Sequence, residues 1–292
     1  MSDAIIKPER PVIKTVLAES AQQLNGISDS PLLEAEVLLA FLLDKNRTYL
    51  RTWPDKTLSP EQLVDYRRLI ANRAQGRPIA YLTGRREFWS REFLVTPDVL
   101  IPRPETELLV ELCLALMPAN QPCRLLDLGT GSGIIAVTLA AERPDAQVSA
   151  TDISPNALQV AAENAEKHQV GRIQFYLSNW FESIPDGQYD LIVSNPPYIA
   201  EDDAHLQQGD LRFEPKSALI ASDQGLKDIR LIAEAALARL AWGGYLLLEH
   251  GYNQQQSVQK LLAGYGYGNI QTHRDLSGQP RVTSGQYLAT SA

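Results

Sequence analysis

The chain holds 292 residues, 44% hydrophobic and 21% charged, with a net charge of −8. That length suits two domains better than one, and the composition is that of a chain able to bury a core, which excludes disordered and fibrous classes. Two cysteines, Cys113 and Cys123, form no C-x-x-C pair or disulfide framework, and with four scattered histidines no metal cluster assembles from local spacing.

Residues 1–80 read as helices only. The stretch 33–43 is mostly apolar. The stretch 61–74 sets Leu63, Tyr66, Ile70 and Ala74 at helical spacing behind a Ser59 N-cap and a first-turn Pro60, and Gly76 with Pro78 stops it. Two β-like stretches, 85–89 and 92–96, flank Ser90-Arg91 and predict a hairpin, although that pair is not the favoured Asn-Gly type. Residues 97–104 hold three prolines and read as a connector. Strand-like runs then follow at Arg124–Leu128, Gln147–Asp152, 173–177, Tyr189–Ser194 and 245–249. Helical stretches lie between most of them, one opened by Ser154-Pro155, which predicts a parallel sheet covered on both faces. Two last strands, 269–273 and 286–289, joined by a loop over 275–285, predict an antiparallel pair closing the sheet. The expected domains are 1–80 helical, 81–101 a hairpin linker and 102–292 α/β. The opening MSDAIIKPERP has no apolar h-region behind a basic one, and no apolar run approaches ~18 residues, so no secretory signal or membrane span is expected.

The strongest local signal runs from Leu125 through Asp127 to Gly129-Thr130-Gly131-Ser132-Gly133, from a strand into a helix. Glycines there let a ligand lie against backbone. The G-x-G-x-G spacing is one residue shorter than the dinucleotide fingerprint, so a nucleotide-redox enzyme stands as a competing reading. Asp152 closes the next strand 23 residues after Gly129, where an acid accepts from both hydroxyls of a ribose. The alternative for Asp152, a helix N-cap, is already offered by Ser154. Asp127 either faces a cofactor's ammonium group or orients the glycine loop. Trp180, after the third strand, offers a plane for an adenine ring or else belongs to the core.

Asn195-Pro196-Pro197-Tyr198 follows the strand Tyr189–Ser194 directly. Two prolines fix φ and remove two backbone donors, leaving carbonyls that only accept. The Asn195 oxygen is a second acceptor and the Tyr198 ring a stacking face. Such a site suits a planar –NH2, one hydrogen to Asn195 and one to the Pro196 carbonyl; a proline-rich turn is the bland alternative. Holding both hydrogens favours pyramidalisation of an amide nitrogen and aims its lone pair at a sulfonium methyl. Direct methyl transfer needs no covalent intermediate, which suits a chain without G-x-S-x-G or a Cys-His arrangement.

These residues resemble a known family. Ile101-Pro102-Arg103-Pro104-Glu105-Thr106-Glu107, Asp127 to Gly133, Asn195 to Tyr198, Glu214-Pro215 with Ala218-Leu219, and Arg281-Val282 match the HemK/PrmC proteins over essentially the whole chain. These are protein-(glutamine-N5) methyltransferases acting on peptide chain release factors. The tetrapeptide alone is shared with nucleic-acid amino-methyltransferases; Ile101 to Glu107 with the helical N-terminal domain is more specific. The resemblance implies an α/β fold: a seven-stranded Rossmann-like S-adenosylmethionine-dependent methyltransferase domain preceded by a small all-helical domain and a β-hairpin linker. It implies methylation of the glutamine in the Gly-Gly-Gln motif of class I release factors, tuning translation termination, with S-adenosylhomocysteine as product. It implies cofactor contacts at Gly129, Thr130, Gly131, Ser132, Gly133, Asp152, Trp180 and Asn195. Asn195, Pro196, Pro197 and Tyr198 would bind the glutamine, with Asn195, Pro196 and Tyr198 catalytic, and Phe88 would line the site from the hairpin. One departure is Leu219-Ile220-Ala221-Ser222-Asp223-Gln224-Gly225, where many relatives carry a glycine pair before the Asp. That loop is expected to differ in shape without touching an assigned role.

The competing function is a nucleic-acid amino-methyltransferase acting on adenine or guanine. Charge weighs against it: residues 1–80 carry 11 basic and 10 acidic groups, but 101–292 carry 13 basic against 22 acidic. Phosphate backbones are bound by Lys and Arg, and no basic, aromatic-rich stripe is present. An acidic face is compatible with a basic protein partner, and equally with simple solubility. A binding protein on a dead methyltransferase fold would need damaged motifs, and none is damaged. The expectation is a cytoplasmic, metal-free monomer, since a protein partner must reach both domains.

Overall fold

Five helices use the apolar periodicity that precedes residue 85: α1 (Ile13–Gln23), α2 (Pro31–Leu43), α3 (Arg47–Thr52), α4 (Pro60–Ala74) and α5 (Ile79–Thr83). The structure, a computed structural model, describes residues 11–119 and 121–288, and divides between Gly84 and Arg85 into two units. α4 opens with a reciprocal capping box: Ser59 accepts from the Gln62 N–H and the Gln62 side chain from the Ser59 N–H. Two donors that the helix start would otherwise leave orphaned are thereby satisfied. Leu38 and Leu39 of α2 pack with Ile13, Leu24, Tyr66 and Ile70 in this unit's core. Arg73 donates to both carboxylate oxygens of Glu34 (2.7 and 2.9 Å) and ties α4 to α2.

The second unit begins with β1 (Arg85–Phe88) and β2 (Arg91–Leu94), an antiparallel pair. Their two-residue turn is Trp89-Ser90, one position earlier than expected, with both residues left-handed (φ 52° and 55°). That geometry normally selects Asn-Gly. Here distant carboxylates hold it instead. The Trp89 N–H donates to Glu107 (2.8 Å), its indole N–H to Glu142 (3.2 Å), and Arg91 pairs with the same Glu142 (2.9 Å).

Seven strands form the main sheet: β3 (Arg124–Leu128), β4 (Gln147–Asp152), β5 (Gln174–Leu177), β6 (Tyr189–Ser194), β7 (Leu240–Glu249), β8 (Gly268–Arg274) and β9 (Pro280–Gln286). Their order is β5-β4-β3-β6-β7-β9-β8. The first five are parallel and β9 runs antiparallel to β7 and β8. The covering helices are α6 (Glu107–Leu116), α7 (Ile134–Glu142), α8 (Pro155–Lys167), the single turn α9 (Ser222–Gly225), α10 (Lys227–Ala236) and α11 (Gln255–Tyr265). Strand side chains alternate between two cores. Leu125, Leu191, Val193 and Leu247 pack with α6 and α7, whereas Leu126, Ile192, Leu246 and Leu248 pack with α10 and α11.

Two strands depart from expectation. β7 starts at Leu240 because a bulge opposite Tyr189–Leu191 absorbs residues 241–244. β9 spans Pro280–Gln286, not 286–289, and Ala289 lies outside the described residues. The loop before it is short because Asp275 accepts from the N–H groups of Ser277 and Gln279, both at 2.9 Å. Pro280, as first residue of the strand, needs no ladder donor. At Gly285 a Cβ would stand 3.1 Å from that of Tyr267, so glycine here marks a close crossing and not a break.

β3 has β4 on one side and β6 on the other, so the strand order reverses there. In open sheets of this kind ligands bind beyond the carboxyl ends of the strands at such a switch point. No helix of the described residues is long and apolar enough to cross a membrane.

Candidate active site

A cavity of about 230 Å³ opens at the carboxyl ends of β3, β4 and β6. Gly129, Thr130, Gly131 and Ser132 line it, with Asp152, Trp180, Asn195 and Pro197. The proline-rich segment supplies a wall that includes Pro102, Arg103 and Thr106. Eight of the residues singled out from sequence therefore meet around one space.

The glycine loop turns through positive φ at Gly131 (55°) and Gly133 (82°), where side chains are strained. The two glycines serve different ends. A Cβ at Gly131 would meet nothing within 4 Å, so the missing side chain leaves room in the cavity. At Gly133 it would stand 3.0 Å from Ala161 Cβ and 3.3 Å from Val137 Cγ2, and Gly133 does not line the cavity. Its role is helix packing.

Asp127 is fully buried and also lies off the cavity; its Oδ2 accepts from the Thr130 hydroxyl (2.6 Å) and the Ala136 N–H (3.2 Å). These are the contacts of a residue that orients the loop. Burial pushes its carboxyl up to about 7, against the pull of both hydrogen bonds, and Oδ1 has no partner. Asp152 accepts from the Gly131 and Ser154 N–H groups, each at 2.9 Å, and burial raises its carboxyl. A carboxylate has about four acceptor sites, so capacity remains toward the cavity. Ser154 caps α8 by accepting from Ala157 (3.2 Å). The Trp180 ring stands over the loop, 3.2 Å from where a Gly129 Cβ would be.

In the tetrapeptide, Asn195 donates from Nδ2 to the Thr106 hydroxyl (3.2 Å), and its Oδ1 has no hydrogen-bond partner among the described residues. Tyr198 turns its hydroxyl to Glu249 (3.3 Å) and packs against the core; neither it nor Pro196 is among the cavity-lining residues. Burial raises the Tyr198 phenol, keeping it a donor. Phe88, expected to line the site, is 2% exposed and packs edge-on against Phe93 in the core, away from the cavity. As the last residue of β1 it lies on the hairpin's inward face, where apolar burial claims the ring.

The loop 219–225 does touch the tetrapeptide, contrary to expectation. Asp223 and Gln224 are left-handed (φ 56° and 55°), and a Cβ at Gly225 would overlap the Tyr198 carbonyl oxygen. Gln254 donates from one amide nitrogen to the carbonyls of Tyr198 and Gln224, both at 3.0 Å.

Four side chains were missed in the sequence as individuals. Thr106 and Glu214 stood inside quoted motifs without a role. Glu214 accepts from the Ile101 N–H (2.9 Å) and from Arg103, fastening the proline-rich wall. Glu249 ends a parallel strand, a position that could have marked it. Asn164 is fully buried and links Leu94 of β2 to the Ser132 carbonyl of the glycine loop.

The chain is similar to known proteins over nearly its full length. The "Methyltransferase small domain" family matches residues 105–213 and the "PrmC N-terminal domain" family residues 15–84. A protein of Vibrio cholerae named release factor glutamine methyltransferase is 50% identical over 94% of this chain and 96% of its own. Proteins of the same name from Escherichia coli and Coxiella burnetii are 46% and 44% identical, over 93% and 92% of this chain and 97% of each relative. Among solved structures, a methyltransferase from Pyrococcus furiosus superposes with TM-score 0.52 at 15% identity, covering 75% of this chain and 97% of that one. The T. Thermophilus 16S rRNA N2 G1207 methyltransferase, solved with AdoMet and guanosine, gives 0.51 at 22% identity over 69% of this chain and 49% of its own. At such identities these two structures show the fold alone.

Proposed function

The chain belongs to the family of release factor glutamine methyltransferases, and from that membership we propose that it methylates the side-chain amide nitrogen of the glutamine in the Gly-Gly-Gln motif of class I release factors. The observation that carries this reading is contiguity: Asn195 lines the same cavity as the glycine loop, Asp152 and Trp180. One space thus offers a nucleoside cradle and an amide acceptor side by side.

S-adenosylmethionine fits the cradle, where it supplies a methyl group on a cationic sulfur. The glycine loop, bare at Gly131, admits the cofactor to the backbone, Asp152 accepts from the ribose hydroxyls, and the Trp180 ring packs on adenine. Asn195 Oδ1 accepts one hydrogen of the glutamine –NH2 and the Pro196 carbonyl the other. The nitrogen is held with its lone pair directed into the cavity, an alignment that lowers barriers by ~7–11 kcal/mol in favourable intramolecular cases. Once alkylated, the cationic nitrogen is strongly acidic and its proton leaves to water, so no general base is required.

The helical N-terminal unit provides release-factor recognition, and the enzyme acts as a cytoplasmic monomer without nucleic acid. The acidic C-terminal part supports a basic protein partner over a phosphate backbone. Mass spectrometry of a release factor incubated with enzyme and S-adenosylmethionine tests the reading: one methyl on the Gly-Gly-Gln glutamine is expected. Label found only in nucleic acid would overturn it. Asn195→Ala should lower kcat on the order of 10²–10³-fold, as for loss of one preorganised hydrogen-bond partner. Near-normal turnover in that variant would remove Asn195 from its role.

A further inference from the structure

The Pro196 carbonyl can accept a hydrogen of the substrate only if the backbone holds it in one direction, and neither Pro196 nor Pro197 has an N–H with which to fasten itself. We propose that Gln254 is a positioning residue for the transfer: it clamps the far end of the tetrapeptide to the turn 223–225 and so fixes where the Pro196 carbonyl points. The inference rests on that carbonyl acting as an acceptor of the glutamine –NH2.

Ser194 holds the near end of the tetrapeptide in β6, paired with Leu128 of β3 and Leu248 of β7. Beyond the prolines the backbone is anchored again at Tyr198 and Ile199. Gln254 donates from Nε2 to the carbonyls of Tyr198 and Gln224, both at 3.0 Å, and its Oε1 accepts from the Gly251 N–H at 2.8 Å. A side-chain amide has two N–H donors and one carbonyl, so every group is matched this way round. Reversed, its –NH2 would face the Gly251 N–H and its oxygen two carbonyls. The side chain is 8% exposed and springs from the N-cap of α11, so a rigid helix carries it. Ile199 joins the same segment by two further bonds: its N–H donates to the Leu219 carbonyl and its carbonyl accepts from the Ala221 N–H, both at 2.9 Å.

Asp223 and Gln224 are both left-handed (φ 56° and 55°), and Asp223 accepts from Arg230 at 2.5 Å. Residues with side chains keep that conformation only where surrounding contacts impose it. Gly225 closes the turn against the tetrapeptide, where a Cβ would stand 2.1 Å from the Tyr198 carbonyl oxygen. That oxygen is therefore gripped between Gln254 and the glycine. The rings lock φ at both prolines, so few torsions remain between Tyr198 and Pro196 to absorb a shift. Displacement at the clamped end is felt at the carbonyl that receives the substrate.

Gln254→Glu keeps the shape and the acceptor for Gly251 but loses both donors, which sets a carboxylate oxygen against two carbonyls. At alkaline pH, with the new carboxyl ionised, kcat on a release factor is expected to fall about 10- to 100-fold, the range for a misplaced preorganised partner. Cofactor Kd by calorimetry should stay within about twofold. Burial favours the protonated form of the new carboxyl, and that form donates to one of the two carbonyls. The rate relative to wild type at the same pH should therefore recover as pH falls. Glu249 and His250 at the end of β7, and Asp223 in the turn, are present in both enzymes, so the ratio isolates the new group. Gln254→Met, with neither donor nor charge, should lose rate with no such recovery. Hydrogen exchange without substrate reads the clamp directly: the Ile199 and Ala221 N–H groups should lose protection at least about tenfold in alkaline Gln254→Glu. Wild-type kcat in that variant at alkaline pH, a ratio that stays flat as pH falls, or unchanged protection at Ile199 would each overturn the clamp. No methyl on the release factor with the wild-type enzyme defeats the acceptor reading and the positioning role with it, whereas methylation by wild type beside a fully active Gln254→Glu defeats the clamp alone.

Discussion

Alanine at Gly133 and at Gly131 separates packing from ligand space within one loop. Both positions have positive φ, 82° and 55°, so alanine at either carries a left-handed backbone penalty of about 1–2 kcal/mol. At Gly131 nothing lies within 4 Å of the new Cβ, and stability should fall by that amount alone. At Gly133 the Cβ meets Ala161 Cβ at 3.0 Å, Ala161 Cα at 3.2 Å and Val137 Cγ2 at 3.3 Å, atoms of two packed helices that cannot both withdraw. Overpacking of this kind costs about 1–3 kcal/mol more, giving a total of about 2–5 kcal/mol. For a unit of this size, melting temperature falls roughly 2–4 °C per kcal/mol, hence roughly 4–20 °C for Gly133→Ala and 2–8 °C for Gly131→Ala. Affinity for S-adenosylmethionine should rank the other way. The Gly131 Cβ enters the cavity and should weaken binding at least about tenfold, or 1.4 kcal/mol, while Gly133→Ala should bind more nearly normally. Scanning calorimetry of the full chain and titration calorimetry with cofactor read the two effects. If Gly133→Ala melts no lower than Gly131→Ala, or if Gly131→Ala binds cofactor normally, the division of roles within the loop is wrong.

Trp180→Ala should weaken S-adenosylmethionine binding by about 1–3 kcal/mol, the usual loss for a base stacked on an aromatic ring, with titration calorimetry as the check. Asp127 is raised from its ordinary value to about 7 by burial, so the folded state holds its proton more tightly than the unfolded one. Its contribution to stability is full below about pH 4 and is lost as pH rises toward 7. Asp127→Asn should therefore flatten denaturation free energy against pH across that window by up to about 1.4 kcal/mol per pH unit, and an unchanged slope would show that Asp127 does not titrate there. Asn164→Ala leaves the Leu94 N–H, the Leu94 carbonyl and the Ser132 carbonyl without their partner. At about 1–3 kcal/mol for each stranded buried group the loss should exceed about 3 kcal/mol in urea denaturation, and a smaller one would mean that water replaces the amide.

Much of the catalytic unit was legible before folding was considered. Short β-prone runs bounded by glycine, proline and capping residues read as strands, so Arg124–Leu128, Gln147–Asp152 and Tyr189–Ser194 were found at their observed bounds. Helix starts at Ser59 and Ser154 were equally plain, because a cap is a contact between residues three apart. The last strand was not legible, since Pro280 and Gly285 read as breaks while their actual meanings, a strand's first residue and a crossing under Tyr267, depend on neighbours far along the chain.

The candidate site divides the same way. Gly129 to Ser132, Asp152, Trp180 and Asn195 could be named from sequence because each stands at the carboxyl end of a strand, and parallel strands deliver those ends to one edge of the sheet. Sequence by itself thus determined the fold class and named residues that gather around one cavity. Only the tertiary structure withdrew Phe88 into the core, gave Gly133 to helix packing and joined Asn195 to Thr106 across 89 positions and Tyr198 to Glu249 across 51. The reason is physical: periodicity and capping are settled over a few residues by backbone geometry. A buried polar group takes whichever partner the packed chain brings within about 3 Å, and no local pattern records that choice.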